Sequence, residues 1–392
     1  VRILGAGAGR TRISASGGDS AALILRGGRG GLVRGLHLGG TAMGLLVDGA
    51  EAVVVQQVRV FGARRVGIYG SRARNLVLDQ VTVSETRHTT NGGPAPAAGM
   101  GVMLAHTPRA ILGNCLIQQN QQLGLAVYDS RLSAGSSAVL QNGDPQTGGS
   151  MGALFSCAGA GDAGQLQGSV GQGNLATGLM VSGCRLAVRG SRVTGSGQGL
   201  TGEATGVLVR DQGQASLQQT TIAGHRGPGL VVFDAAASLD DCRVSDNGST
   251  GVLVRQSSSR QRTTLQRTTV SGNAGAGVAV VGAAEVELRG GQVSGTRTRT
   301  RAVGAGTVET GDGLQVSGGS RAVVDSVRFA GNARLHAIYD GSGGSVRRCS
   351  FQTGVPALVL QRGARGQVSH GDNRDSSGAP VQPTLPARPY GL

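Results

Sequence analysis

Apolar residues recur along this chain in short alternating bursts and never at helical spacing. The segments beginning at Gly206, Gly229 and Gly251 read GVLVRDQGQASLQQTTIAG, GLVVFDAAASLDDCRVSDN and GVLVRQSSSRQRTTLQRTTVSGN. Each opens on Gly, runs as an apolar-x-apolar strand and turns through polar or small residues. A second short strand follows with one apolar residue, then Thr or Cys, then Val or Ile. The unit closes on a Gly/Asn/Asp corner. The same pattern starts at Gly44, Gly67, Gly101, Gly124, Gly152, Gly178, Gly277 and Gly313, and without Gly at Ala337 and Ala357. Units led by Gly span 22 to 36 residues, and the differences fall at turns. Leu265, Thr268, Val270 and Asn273 sit four places later in their unit than Leu239, Cys242, Val244 and Asn247, as a single four-residue insertion in the first turn requires.

Such a unit cannot bury its apolar face alone, but stacking units about 4.8 Å apart pairs the backbones and buries a continuous column of Val, Leu and Ile. Strands this short, rich in β-branched residues and lacking an amphipathic helical run, exclude helical solenoids. The predicted fold is all-β, a right-handed parallel β-helix (β-solenoid) of about 12–14 coils over residues 1–370. Gly is expected to supply the positive-φ corners. Asn120, Asn174, Asn247 and Asn273 each fall four residues before the next Gly, which predicts a stacked Asn column. Residues 371–392 turn Ser/Gly- and then Pro-rich and read as a tail or linker, covering the open edge of the last coil or leading to a further domain. Val1-Arg-Ile-Leu-Gly already reads as mid-coil, so an upstream piece with a signal peptide and a cap is expected.

This repeat resembles the pectin-lyase-like superfamily of right-handed β-helix proteins, over roughly residues 1 to 370. The resemblance is specific for fold and non-specific for function. That superfamily includes pectate lyases, polygalacturonases, alginate epimerases, phage tailspikes, adhesins and bacterial surface proteins with no assigned activity. Asp240-Asp241 is similar to the paired aspartates of polygalacturonases, and Gly224-His225-Arg226 is a near miss to their Gly-His-Gly. Their order here is reversed, and the family's Arg-x-Lys element cannot exist in a chain without Lys. A pectate lyase would need a Ca²⁺ carboxylate cluster and an Arg base, and Arg is too widespread here to discriminate. No alginate-epimerase signature is visible.

Composition shifts the picture toward binding. All 37 basic side chains are Arg, the formal net charge is +15 and the sequence pI is about 11.2. Part of that excess reflects the Ala/Gly/Val/Arg usage of a GC-rich genome, yet it still attracts polyanions. Acidic polysaccharide or cell-surface anions rank ahead of nucleic acid, because no motif with stacking aromatics accompanies the Arg residues. Aromatics are 2% of the chain and Trp is absent, which disfavours a deep sugar-processing groove. No stretch approaches the roughly 18 apolar residues of a membrane helix. A monomer, secreted or at the cell surface, is expected. Five cysteines show no CxxC or Cys/His metal spacing. Cys115, Cys242 and Cys349 share a register with Thr220 and Thr268 and read as buried thiols. Cys157 and Cys184 fall near one another in consecutive coils, close enough for a disulfide.

Candidate chemistry comes from stacked columns. Five places after the leading Gly lie Arg72, His106, Asp129, Cys157, Gly183, Asp211 and Asp234. Arg72, His106 and Asp129 would be neighbours, able to serve as anion clamp, base and orienting carboxylate. Asp211 and Asp234 would be adjacent carboxylates, suited to a retaining glycosidase pair or to Ca²⁺, with Arg210 and Arg255 placed to neutralise them. No other cofactor is called for. Insertions at about 84–99, 141–150, 195–204 and 294–311 are expected to leave after the second strand and wall a cleft on one side. In the last, Arg297, Arg299 and Arg301 would face one side of an extended segment and grip a polyanion. A structural or binding role is favoured. The alternatives are a lyase or glycoside hydrolase acting on an acidic polysaccharide, and an Arg-rich polyanion-binding adhesin.

Overall fold

The computed structural model describes residues 1–14, 20–87, 99–144, 150–197, 204–256, 261–303, 306–387 and 390–391. The insertion tips at 88–98, 145–149 and 198–203 lie outside the described residues, as does the extra turn at 257–260. The chain divides into two compact units, Val1–Ala204 and Thr205–Leu392.

In the first unit each coil carries three strands, not two. The coil of Met43–Asp48, Glu51–Gln56 and Arg59–Phe61 stacks in parallel on Val66–Ser71, Arg74–Asp79 and Thr82–Ser84. Alternation puts Leu45, Val47, Val53, Val55 and Val60 inside, each no more than 3% exposed. The third strand is only three residues long with one inward residue, so in sequence it merges with the second. The insertions therefore leave after the third strand, beside the first strand of the next coil. Seven complete coils follow a partial one formed by Arg2–Leu4 and Arg12–Ser14.

Each coil turns through three left-handed corners. The first holds Gly49, Arg72, His106 and Asp129, the second Gln57, Gln80, Asn114 and Ser136, the third Gly62, Glu85, Gln119 and Gln141, all at φ between 42° and 65°. Most are not Gly. The corner N–H donates to the next coil, as Gln57 N does to Asp79 O at 3.0 Å and Gln80 N to Gly113 O at 2.9 Å. These stacked bonds hold a conformation that L-residues otherwise avoid. The leading glycines, by contrast, have no positive φ. They are required by close approach: a Cβ on Gly101 would lie 2.6 Å from Asn120 Nδ2 and 2.7 Å from Gly124 O.

The Asn column is present and longer than expected. Asn142 Oδ1 accepts from Asn120 N at 3.1 Å and Asn120 Nδ2 at 2.9 Å, and Asn142 Nδ2 donates to Asn174 Oδ1 at 3.0 Å. Asn142 escaped the four-residue rule because an insertion separates it from Gly152.

The second unit repeats the plan in seven coils, from Thr205–Arg210, Gln214–Gln218 and Thr221–Ala223 to Leu358–Gln361, Val368–Gly371 and Arg374–Asp375. Leu239 pairs with Leu265 and Val244 with Val270, the register that a four-residue insertion between them demands. Asn247 and Asn273 continue a ladder here, with His225 N donating to Asn247 Oδ1 at 3.1 Å. The coils also hold a stacked Phe329–Phe351 pair, ring centroids 5.1 Å apart, and a fully buried Tyr339.

The Pro-rich tail folds back onto its own unit. Leu360 N donates to Thr384 O at 3.1 Å, and Thr384 N to Leu358 O at 2.8 Å. Gln361 pairs both ways with the Tyr390 backbone, at 3.1 and 2.8 Å. Tyr390 packs on Leu335, Ile338 and Val359. Arg334 grips the buried Asp312, through Nε at 2.8 Å and through a second nitrogen, and donates to Gly391 O at 3.0 Å.

Candidate functional site

The column proposed from the sequence exists, and its position explains its composition. Arg72, His106, Asp129, Asp211 and Asp234 are all first-corner residues, with φ from 42° to 54°. Asp and His are among the side chains that tolerate this region best. Much of the column is therefore a corner requirement, whatever else it does.

Within it the side chains part company. Arg72 turns back to Asp48, Nη2 to Oδ1 at 2.8 Å. That guanidinium, through its hydrogen bond above all, holds the Asp48 carboxyl below the usual carboxylate range. His106 Nδ1 and Asp129 Oδ2 lie 3.9 Å apart, with the imidazole side chain 68% exposed. This is proximity without a hydrogen bond. In the second unit Asp211 meets its own neighbour Arg210, Nε to Oδ2 at 3.0 Å. Arg255 lies over the ring of Phe233, 5.8 Å from its centroid. Among the described residues no group of three or more His, Cys, Asp or Glu could hold a metal ion.

Arg297 and Arg299 both turn back to the corner that carries Asn247 and Ser249. Arg297 Nη2 reaches Asn247 O at 3.5 Å, and Arg299 Nη1 bonds Ser249 Oγ, so both lean on earlier coils. The alternating segment opens an antiparallel hairpin, Arg299–Val303 with Gly306–Thr310. The Arg301 side chain lies outside the described residues.

The structure adds a feature the sequence reading did not find. In the sixth complete coil counted from Ala21–Arg26, first and second strands run together as Met151–Gln167, and an excursion leaves between Ser156 and Gly164. Cys157 is bonded to Cys184 at its base. Ala158 N donates to Asp129 Oδ1 at 2.7 Å, and Asp162 pairs with Arg131 at 3.2 Å. Thus pinned, the excursion overhangs the second-strand face and walls two adjoining shallow grooves of about 600 and 500 Å³ that share Pro108, Arg131 and Asp162. The outward column Ile111, Ser133, Gln165 and Ala187 forms the floor. Arg109, Arg131, Asp129 and Asp162 line it with charge. The signal was there to read: Cys157-Ala-Gly-Ala-Gly-Asp-Ala-Gly164 inserts small residues at a corner beside a pairing cysteine.

Coils of three parallel strands about a Val/Leu/Ile interior define a parallel β-helix. The pattern of the family described as "Right handed beta helix region" matches residues 155–293 and 231–378, together more than half of the sequence, and the chain belongs to that family. No curated protein matches the chain. Among solved structures it is similar to the A-module of the Azotobacter vinelandii mannuronan C-5 epimerase AlgE6, at 13% identity over 95% of this chain and 89% of that one, TM-score 0.36. It is also similar to a variant of the periplasmic alginate epimerase AlgG, at 10% identity, 87% and 77% coverage, TM-score 0.44. A third is tailspike protein 2 of bacteriophage CBA120, at 11% identity, 77% and 42% coverage, TM-score 0.43.

Proposed function

We propose that the protein is a β-helix scaffold that holds a strand of acidic polysaccharide in the groove of its first unit without cleaving it. The observation that carries this reading is the excursion at 157–163, tethered by a disulfide, a backbone hydrogen bond and an ion pair. The stacking of coils does not need it, and its effect is to wall a groove. Arg109 and Arg131 would face sugar carboxylates, while Asp129, Asp162, Ser133 and Gln165 would bond hydroxyls. A disulfide persists in oxidising surroundings, which supports a place outside the cytoplasm, secreted or at the cell surface.

A second reading, a lyase or hydrolase, draws on one observation: His106 Nδ1 lies 3.9 Å from Oδ2 of Asp129, which lines this groove. Arg72, held by Asp48, gives it no clamp, and Asp211 and Asp234 belong to the other unit. The test is incubation with polygalacturonate and alginate, with and without Ca²⁺, following absorbance near 235 nm, reducing ends and retention on the immobilised polymers. Retention without product supports the scaffold. Product that disappears in His106→Ala establishes the enzyme instead, and neither retention nor product overturns both.

A further inference from the structure

Several Arg side chains on this surface face a carboxylate on their own or an adjacent coil. Arg26 and Arg72 flank Asp48, Arg267 meets Asp240, Arg348 meets Asp325, Arg362 meets Asp340, and Arg262 and Arg289 share Glu287. One column stacks three basic side chains with no carboxylate among them. On the third-strand face of the first unit, Arg12, His37 and Arg59 are in direct register on successive coils. Each leads its strand and points outward, since the next residue (Ile13, Leu38 or Val60) is the inward one. Neighbouring strands are about 4.8 Å apart, so three basic side chains crowd within about 10 Å. Among the described residues neither Arg12 nor Arg59 has a carboxylate partner. Like charges directly opposite each other destabilise a sheet, and nothing in the fold requires them here.

The column also has an aromatic neighbour. Two places along the strand is the buried Gly39, where a Cβ would come within 2.5 Å of Phe61 O, so the two coils are close-packed there. Phe61 stands beside it, edge-on to His37 with ring centroids 6.2 Å apart and with Arg59 over its face at 5.4 Å. His37 Nε2 is buried and has no hydrogen-bond partner. The column thus presents two guanidinium groups on either side of an imidazole, with an aromatic ring beside them.

We infer that Arg12, His37 and Arg59 form a second binding site, which takes the carboxylate or sulfate group of an acidic sugar with Phe61 against the ring's apolar face. Two guanidinium groups bind an oxyanion with charge-assisted hydrogen bonds, and the anion removes the repulsion along the column. This deepens the proposed function, because the groove and the basic column would engage one kind of polymer, but its residues are separate from the groove. The imidazole makes the site pH-sensitive. Burial first, then Arg12 and Arg59, hold the His37 pKa below 6.5. A bound anion reverses the effect of the guanidinium groups, so binding raises that pKa, and affinity rises as pH falls through it.

The test is an NMR titration of the six histidine imidazoles in the full chain, with oligogalacturonate, inorganic sulfate or matched chloride. His37 is assigned as the signal missing from His37→Gln. The inference expects oligogalacturonate to raise the His37 pKa, sulfate to raise it less, and Arg12→Gln/Arg59→Gln to lose both effects while its other imidazoles titrate as before. Arg131→Ala should leave the response intact, so loss of groove binding and loss of binding at the column are told apart. No response beyond that to chloride, an equal response in the double variant, or a response to sulfate alone overturns the sugar site.

Discussion

At the scale of single residues, the interior tolerates polar groups only where they are bonded from coil to coil. Asn142 is fully buried and uses both ends of its amide in the ladder. Asn142→Ala would leave the Asn120 N–H without an acceptor and is expected to lower stability by about 3 kcal/mol, read by urea unfolding. The thiols of Cys115, Cys242 and Cys349 are buried and free, and burial pushes Cys115 and Cys349 up to about 11. Thiol reagent at pH 8 should find none of the three in the native protein and all three after denaturation, whereas native labelling would refute their inertness. His336 accepts from Asn332 Nδ2 at 3.0 Å and donates from Nε2 to Gln352 O at 2.7 Å, which fixes the neutral ring. Burial holds its pKa below 6.5, outweighing the bond to Gln352, so the unfolded chain takes the proton first. Stability is then full above about pH 6.5 and falls as pH drops toward the folded value. The melting temperature should fall from pH 7 to pH 5, and His336→Gln should flatten that slope.

At the scale of elements, the first strands and the repeat length were legible because alternation with a leading Gly survives every insertion. The third strand was not, since three residues with one apolar position carry too little pattern to separate from the strand before. At Gly44, Gly67 and Gly101, which mark the unit starts, close packing and not a positive φ excludes a side chain. His106, Asp129 and Asp211 were chosen as chemistry, and the left-handed corner accounts for much of their presence. The groove escaped notice because its wall is an excursion at the first corner, while long insertions at another corner drew attention. Its disulfide closes 27 residues of separation, a loop whose constraint is worth about 3 kcal/mol. Cys157→Ser/Cys184→Ser should unfold at lower urea and also bind acidic oligosaccharide more weakly. Lost stability with unchanged binding would reduce the disulfide to a structural staple.

For the whole molecule, the fold followed from one physical fact, that a coil this short has no core without its neighbours. The same regularity hides function, because every surface column is periodic and only departures from period carry information. The pinned excursion is one such departure and the unmatched basic column another. The account stands most directly on calorimetric titration of the chain with oligogalacturonate, comparing Arg109→Ala/Arg131→Ala with the unmodified sequence and scanning the products at 235 nm. It predicts saturable binding, weakened about tenfold or more in the variant (roughly 1.4 kcal/mol per tenfold), and no unsaturated product. Equal affinity in the variant, or product from the unmodified chain, would contradict it.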